Sequence, residues 1–135
     1  MRIEKIAGSE ERLCHLVAPL VMNPGVIRQN NNYPFKTSAR YIWFVAIEDE
    51  RVLGFIPVEM KDNCYVINNY YVSGDDPALL AALLGEAVCH FPGKCPLQSV
   101  THTRHLSVFE ENGFVVIRTW KLYVKMEYRR RQDSL

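Results

Sequence analysis

Between Tyr41 and Val72 the chain carries three β-rich runs, YIWFVAIE, VLGFIPVEM and CYVINNYYV, separated by only a few residues each. Connections that short join antiparallel neighbours, so the runs predict a meander. Pro57 cannot donate to a ladder, and inside the second run it marks a bulge or an edge position. The pattern then changes. PALLAALLGEAVCHF (residues 77–91) predicts the most apolar helix, opened by a proline at its first position and ended by Pro92, Gly93 and Pro96. LQSVT (97–101) predicts a strand parallel to the one before the helix. A meander followed by one βαβ crossover is compatible with few folds.

The flanking segments fit the same domain. Residues 1–8 predict a short strand. Ser9 reads as an N-cap ahead of Glu10 and Glu11, and Leu13, Leu16, Val17, Leu20 and Val21 recur at helical spacing, predicting a helix over 10–22. Residues 23–40, with three consecutive asparagines, read as a long loop or a loop around one short helix. A short helix over 104–112 closes at Gly113 with a left-handed cap. Residues 114–128 read as one long strand or a bent pair. The order is β-α-loop-β-β-β-α-β-α-β, an α/β (α+β) domain over residues 1–128. RRRQDSL (129–135) reads as a frayed basic tail.

Bulk properties narrow the function classes. A chain of 135 residues can bury a core without a metal or disulfide. Its formal net charge of +1 supplies no general attraction to nucleic acid or acidic membrane. Glu4, Glu10 and Glu11 stand where a signal peptide needs an apolar region, and no apolar run approaches the roughly 20 residues that span a bilayer. Cys14, Cys64, Cys89 and Cys95 form no CxxC pair and read as free thiols, so the cytoplasm is the expected compartment. Cys89, His90, Cys95, His102 and His105 lack the spacing of a zinc site, and no metal is expected.

The segment VSGDDPALLAALL (72–84) poses the functional question. A Gly-containing turn between strand and helix is a common phosphate seat, because the first helical N–H groups are unpaired there. This turn carries Asp75 and Asp76 and no basic residue. A carboxylate about 4 Å from a phosphate costs on the order of 1 kcal/mol in water and about 4 kcal/mol at a surface-like dielectric. The helix N-terminus returns only about 0.3–1 kcal/mol. One of the two aspartates is therefore expected to cap the helix, against phosphate binding in the usual mode.

Three stretches in order, FVAIEDERVLGFIPVE, YYVSG ahead of the apolar helix, and VFEENGF before the last strands, resemble the GNAT family of acetyl-CoA-dependent N-acetyltransferases. The resemblance implies a mostly antiparallel sheet with helices on both faces. It also implies acetyl-CoA as cofactor, its pantetheine arm lying between the fourth and fifth strands. The acceptor would be a small-molecule or peptide amine, bordered by Asn30, Asn31, Asn32 and Tyr33, whose uncharged amides suit a polar acceptor; the same four residues read equally as a plain turn cluster. The family's pyrophosphate loop, Gln/Arg-x-x-Gly-x-Gly/Ala, is missing, and Phe109 stands where a tyrosine general acid is usual.

Two readings follow. In the first, the chain is a divergent N-acyltransferase. Tyr70 and the backbone of Val72, Ser73 and Gly74 hold the cofactor, and Tyr71 and His102 handle protons. Against those roles stand one tyrosine packed in the core with the other on the sheet surface, and a solvent-facing loop histidine. In the second, the fold has lost the cofactor and serves as a binding or regulatory module, with a homodimer through its sheet edge as one arrangement. An enzyme needs an open gap between the fourth and fifth strands. A binder would fill that gap with side chains such as Tyr70 or Phe109.

Overall fold

The computed structural model describes residues 1–91 and 93–129. The expected tail falls mostly outside them. Eight strands form one sheet in the order β1-β2-β3-β4-β6-β8-β7, with β5 also paired to β3. Strands β1 (Arg2–Ala7), β2 (Tyr41–Glu48) and β3 (Arg51–Met60) are antiparallel, as the short turns require. β4 (Tyr65–Ile67) continues the meander and runs parallel to β6 (Leu97–His102), across the helix α3 (Pro77–His90). The single crossover is therefore where the sequence placed it. The final segment is a bent pair, β7 (Phe114–Thr119) and β8 (Tyr123–Tyr128), antiparallel to each other.

Period-two alternation sends the two sides of β2 and β3 into two cores. Phe44, Ala46, Ile56 and Val58 meet Leu80, Leu83 and Leu84 of α3 and Phe109 of α4 (Leu106–Glu111). Trp43, Val45, Ile47 and Phe55 meet Leu13 and Val17 of α1 (Glu11–Val21) on the opposite face. Burial on both faces explains why these strands read as almost continuous apolar runs. No described helix is long and apolar enough to cross a membrane.

Local chemistry adjusts several expectations. Ser9 is not the cap of α1. Glu10 takes the flanking position, and its carboxylate instead accepts from the Ala7 N–H at 3.3 Å. The loop after α1 does hold one short helix, α2 (Pro24–Gln29), whose Asn23 side chain accepts from the Gly25 and Val26 N–H groups. The strand expected over 64–72 is broken into β4 and β5 (Tyr71–Val72). Val58 faces Ile67 and Gly54 faces Val72, so β3 advances four residues while its partner advances five. The extra residue makes a bulge over Asn68–Tyr70, with Asn69 at φ +55°. Pro57 lies on interior β3 directly opposite this bulge. Its carbonyl accepts from the Asn68 N–H at 3.5 Å, so its missing donor faces the place where the ladder is already interrupted. Gly54 is needed where β5 closes in, because a Cβ there would sit 2.7 Å from the Tyr71 carbonyl oxygen.

Candidate functional site: a latched cleft and the pocket beside it

β4 and β6 pair only from Tyr65–Leu97 to Ile67–Ser99. Past the bulge, β5 turns its hydrogen bonds to β3, while β6 continues beside β8. The backbone thus splays into a wedge between β5 and β6. Tyr70, carried by the bulge, fills it. Its side chain is buried (2% exposed), with its ring centroid 5.2 Å from His102, 5.5 Å from His105 and 5.5 Å from Phe109.

A hydrogen-bonded chain crosses the wedge at this ring. The His102 backbone N–H donates to the Tyr70 hydroxyl oxygen at 3.1 Å. The hydroxyl therefore gives its own proton to His105 Nδ1, at 2.7 Å. With Nδ1 accepting, the proton of the neutral ring sits on Nε2 and is donated to Asp75 Oδ1 at 2.7 Å. Arg104 Nε donates to the same carboxylate oxygen at 3.1 Å, and its terminal nitrogen reaches the Gln29 carbonyl at 3.1 Å. The buried members of the chain, the Tyr70 hydroxyl and both ring nitrogens of His105, each have a partner, as buried polar groups require.

The charge states agree with this geometry. Burial drives the Tyr70 hydroxyl far above the ordinary phenol range, so it stays protonated. Burial lowers His105 below the usual imidazole value, against the pull of Asp75, so the ring is neutral at pH 7. Burial alone would raise Asp75, but the hydrogen bonds from His105 and Arg104 outweigh it and hold the carboxyl below its ordinary value.

The start of α3 is equally committed. Pro77 has no N–H. Asp76 accepts from the Ala78 and Leu79 N–H groups at 3.0 and 3.3 Å, and the Leu80 N–H bonds the Asp76 carbonyl at 3.0 Å. The first turn of the helix has no donor left for a phosphate. Of the two aspartates, Asp76 is the cap. Asp75 instead pins the turn to His105 and Arg104.

The expected site residues separate accordingly. Tyr70 and His102 meet in the wedge. Tyr71 lies on the other face of the sheet, its ring 5.9 Å from Phe55 in the α1-side core. Neither the proton role nor the solvent-facing alternative for His102 foresaw its burial. It ends β6 at 2% exposure, not in a solvent-facing loop, and burial lowers its imidazole to about 4. An imidazole so weakly basic is a poor acceptor for an ammonium proton at pH 7. Its Nδ1 accepts from the Asn31 side-chain amide at 3.5 Å. Val72 is buried in the β3–β5 pairing, and Ser73 and Gly74 form the exposed turn outside the wedge, Gly74 at φ +65°. Sequence reasoning missed His105. Its position three residues past His102, in the turn that follows β6, is a signal that the two rings lie together.

A second feature borders the wedge on the side of the asparagine-rich loop. A pocket of about 360 Å³ is lined by Tyr33 and Lys36 of that loop, Asn68 and Asn69 of the bulge, and Trp120 and Tyr123 of the β7–β8 hairpin. Among the described residues no group of three His, Cys, Asp or Glu side chains is arranged to hold a metal ion.

No protein-family model and no curated protein sequence matches the chain. Solved structures do. An acyl-CoA N-acyltransferase from Pseudomonas aeruginosa superposes with a TM-score of 0.75 at 13% identity, covering 96% of this chain and all of that one. Escherichia coli ElaA gives 0.74 at 12% identity, over 96% of this chain and all of its own. The Campylobacter jejuni N-acetyltransferase PseH in complex with acetyl coenzyme A gives 0.62 at 12% identity, over 96% of this chain and all of its own. With the sheet order, the bulge and the single crossover, these likenesses establish that the chain has the fold of the GNAT N-acetyltransferases.

Proposed function

We propose that this protein is a binding module on the GNAT fold, working through the pocket beside the bulge, with the acetyl-CoA cleft closed by its own side chains. The observation that carries this reading is the chain from the His102 N–H through Tyr70 and His105 to Asp75, which fills the wedge and satisfies itself. Acetyl-CoA in the fold's usual seat does not fit these residues. By the family resemblance the pantetheine arm would lie in the wedge that the Tyr70 ring occupies; the N-terminal amides of α3 are spent, and Asp75 adds a carboxylate to the preceding turn. The four cysteines are all free, which suits a reducing compartment, and we place the protein in the cytoplasm.

A second reading has its own support. The acyltransferases that share the fold, one of them crystallised with acetyl-CoA, favour transfer of an acetyl group to an amine, and the backbone wedge is retained. That reading requires Tyr70 to leave the wedge, with its hydrogen bonds broken before a cofactor enters.

A thermal-shift titration with CoA and with acetyl-CoA separates the two. Ligand at 100 times its dissociation constant adds about 2.7 kcal/mol of stability, a shift of several degrees for a domain of this size. The binding-module reading expects a flat melting temperature up to millimolar ligand. A dose-dependent rise would overturn it in favour of the acyltransferase.

A further inference from the structure

We propose that the pocket beside the bulge takes a ligand that carries a carboxylate on a flat, apolar body. The inference names the ligand class of the site assigned above and rests on that reading. It comes from the orientation of two side-chain amides, each fixed by a partner that leaves no choice of which end is oxygen.

Asn68 is the simpler case. The backbone N–H of Asn69 donates to its side chain at 2.9 Å, so the accepting atom is Oδ1 and the NH2 points elsewhere. For Asn69 the logic takes two steps. Buried Asn30 donates to the Tyr33 carbonyl at 3.0 Å, which fixes that atom as nitrogen. The same Asn30 nitrogen contacts the Asn69 side chain at 2.9 Å, so the Asn69 atom must be its oxygen. Both pocket amides have their acceptor ends occupied. Neither NH2 has a partner among the described residues. The two lining residues therefore keep N–H donors to offer a ligand.

The remaining lining points the same way. Lys36 supplies the one charged side chain of the pocket, and no Asp or Glu lines it. Lys36 makes no ion pair among the described residues. Tyr33, Trp120 and Tyr123 offer aromatic surface, with Trp120 39% exposed and Tyr33 60% exposed at its rim. Amide donors and a cation lining one pocket favour an anionic acceptor group, and hydrogen bonds to an ionised acceptor are the stronger kind. An ammonium would be repelled by Lys36 and by the amide N–H groups, and these oppose the attraction that the Tyr33, Trp120 and Tyr123 rings hold for a cation. Aromatic walls select a planar or apolar body.

The test compares probes with one ring and opposite charge. 4-Hydroxyphenylacetate and tyramine are titrated into ¹⁵N-labelled protein, following the Asn68 and Asn69 side-chain amides and the Trp120 indole N–H. The carboxylate is expected to move all three sets of signals saturably, and tyramine is not. Asn68→Asp keeps the oxygen that the Asn69 N–H needs while replacing the donor with a charge. It is expected to weaken the carboxylate at least about tenfold and to favour the amine. Lys36→Glu, at an exposed position that cannot endanger the core, is expected to weaken it in the same direction. Preference of the wild-type protein for tyramine would overturn the ligand class while leaving the binding-module reading standing. Failure of both probes to move these signals would overturn the assignment of the pocket. A melting response to CoA would instead overturn the reading underneath.

Discussion

Tyr70 is held through a single oxygen that accepts from the His102 N–H and donates to His105. Removing that oxygen strands one buried donor and one buried acceptor. Unsatisfied groups of this kind cost about 1–3 kcal/mol, while the ring of a Tyr70→Phe variant still fills the wedge. Equilibrium denaturation of Tyr70→Phe is therefore expected to show a loss in that range with an unchanged denaturant slope. A variant as stable as the parent would mean that the hydrogen-bonded chain is not what keeps the wedge shut. The same residue shows why type alone misleads about role. A tyrosine at the end of this strand was an expected cofactor contact, and here its hydroxyl is buried and spent on His102 and His105.

At the scale of elements, α3 illustrates how a helix end can be diverted from ligand binding. Pro77 and Asp76 together leave its first turn without a free N–H. Replacing the N-cap by alanine costs about 0.5–2 kcal/mol in general. Asp76→Ala is expected to fall near 1 kcal/mol, read as a shift of the urea midpoint. No loss at all would show that solvent caps the helix equally well. The helix itself was legible in sequence, because its proline, its apolar run and the breakers beyond it are all local signals. The bulge was not. It exists because β5 pairs with β3 one residue out of step with β4, a fact of register between segments that no single stretch contains. Gly113 marks the other kind of legible boundary. It ends α4 at φ +94°, and a Cβ there would lie 2.8 Å from the Tyr128 ring.

For the whole molecule, the wedge joins the two halves of the sheet, and its charge states couple to global stability. His102 falls from an ordinary 6.5 to about 4 on folding, chiefly through burial, with Arg104 and His105 adding to the penalty and Asp75 opposing it. The unfolded chain therefore takes up this proton first. Stability from the neutral ring is complete above about pH 6.5 and drains away as pH falls toward 4, by about 3 kcal/mol in all. His105 is lowered as well and acts with the same sign. Asp75, held below its ordinary value, adds a loss at still lower pH, as the folded carboxylate is titrated. Melting temperatures measured from pH 7 to pH 4 are expected to fall steadily, and His102→Gln is expected to flatten much of that slope. An equal slope in the variant would move the acid sensitivity elsewhere.

The sequence by itself determined the order and kind of most elements: the meander, the crossover, the helices over 10–22 and 104–112, and the aspartate–proline start of α3. Periodicity and capping act over a few residues, so they are written into the chain locally. Only the tertiary structure decided that Tyr70 faces the wedge and Tyr71 the opposite core, that Asp76 caps while Asp75 clasps His105, and that Asn30 donates to the Asn69 side-chain oxygen. Those partners stand some 30 to 40 residues apart in the chain, and the register of β3, β5 and β6 across one bulge is what brings them together.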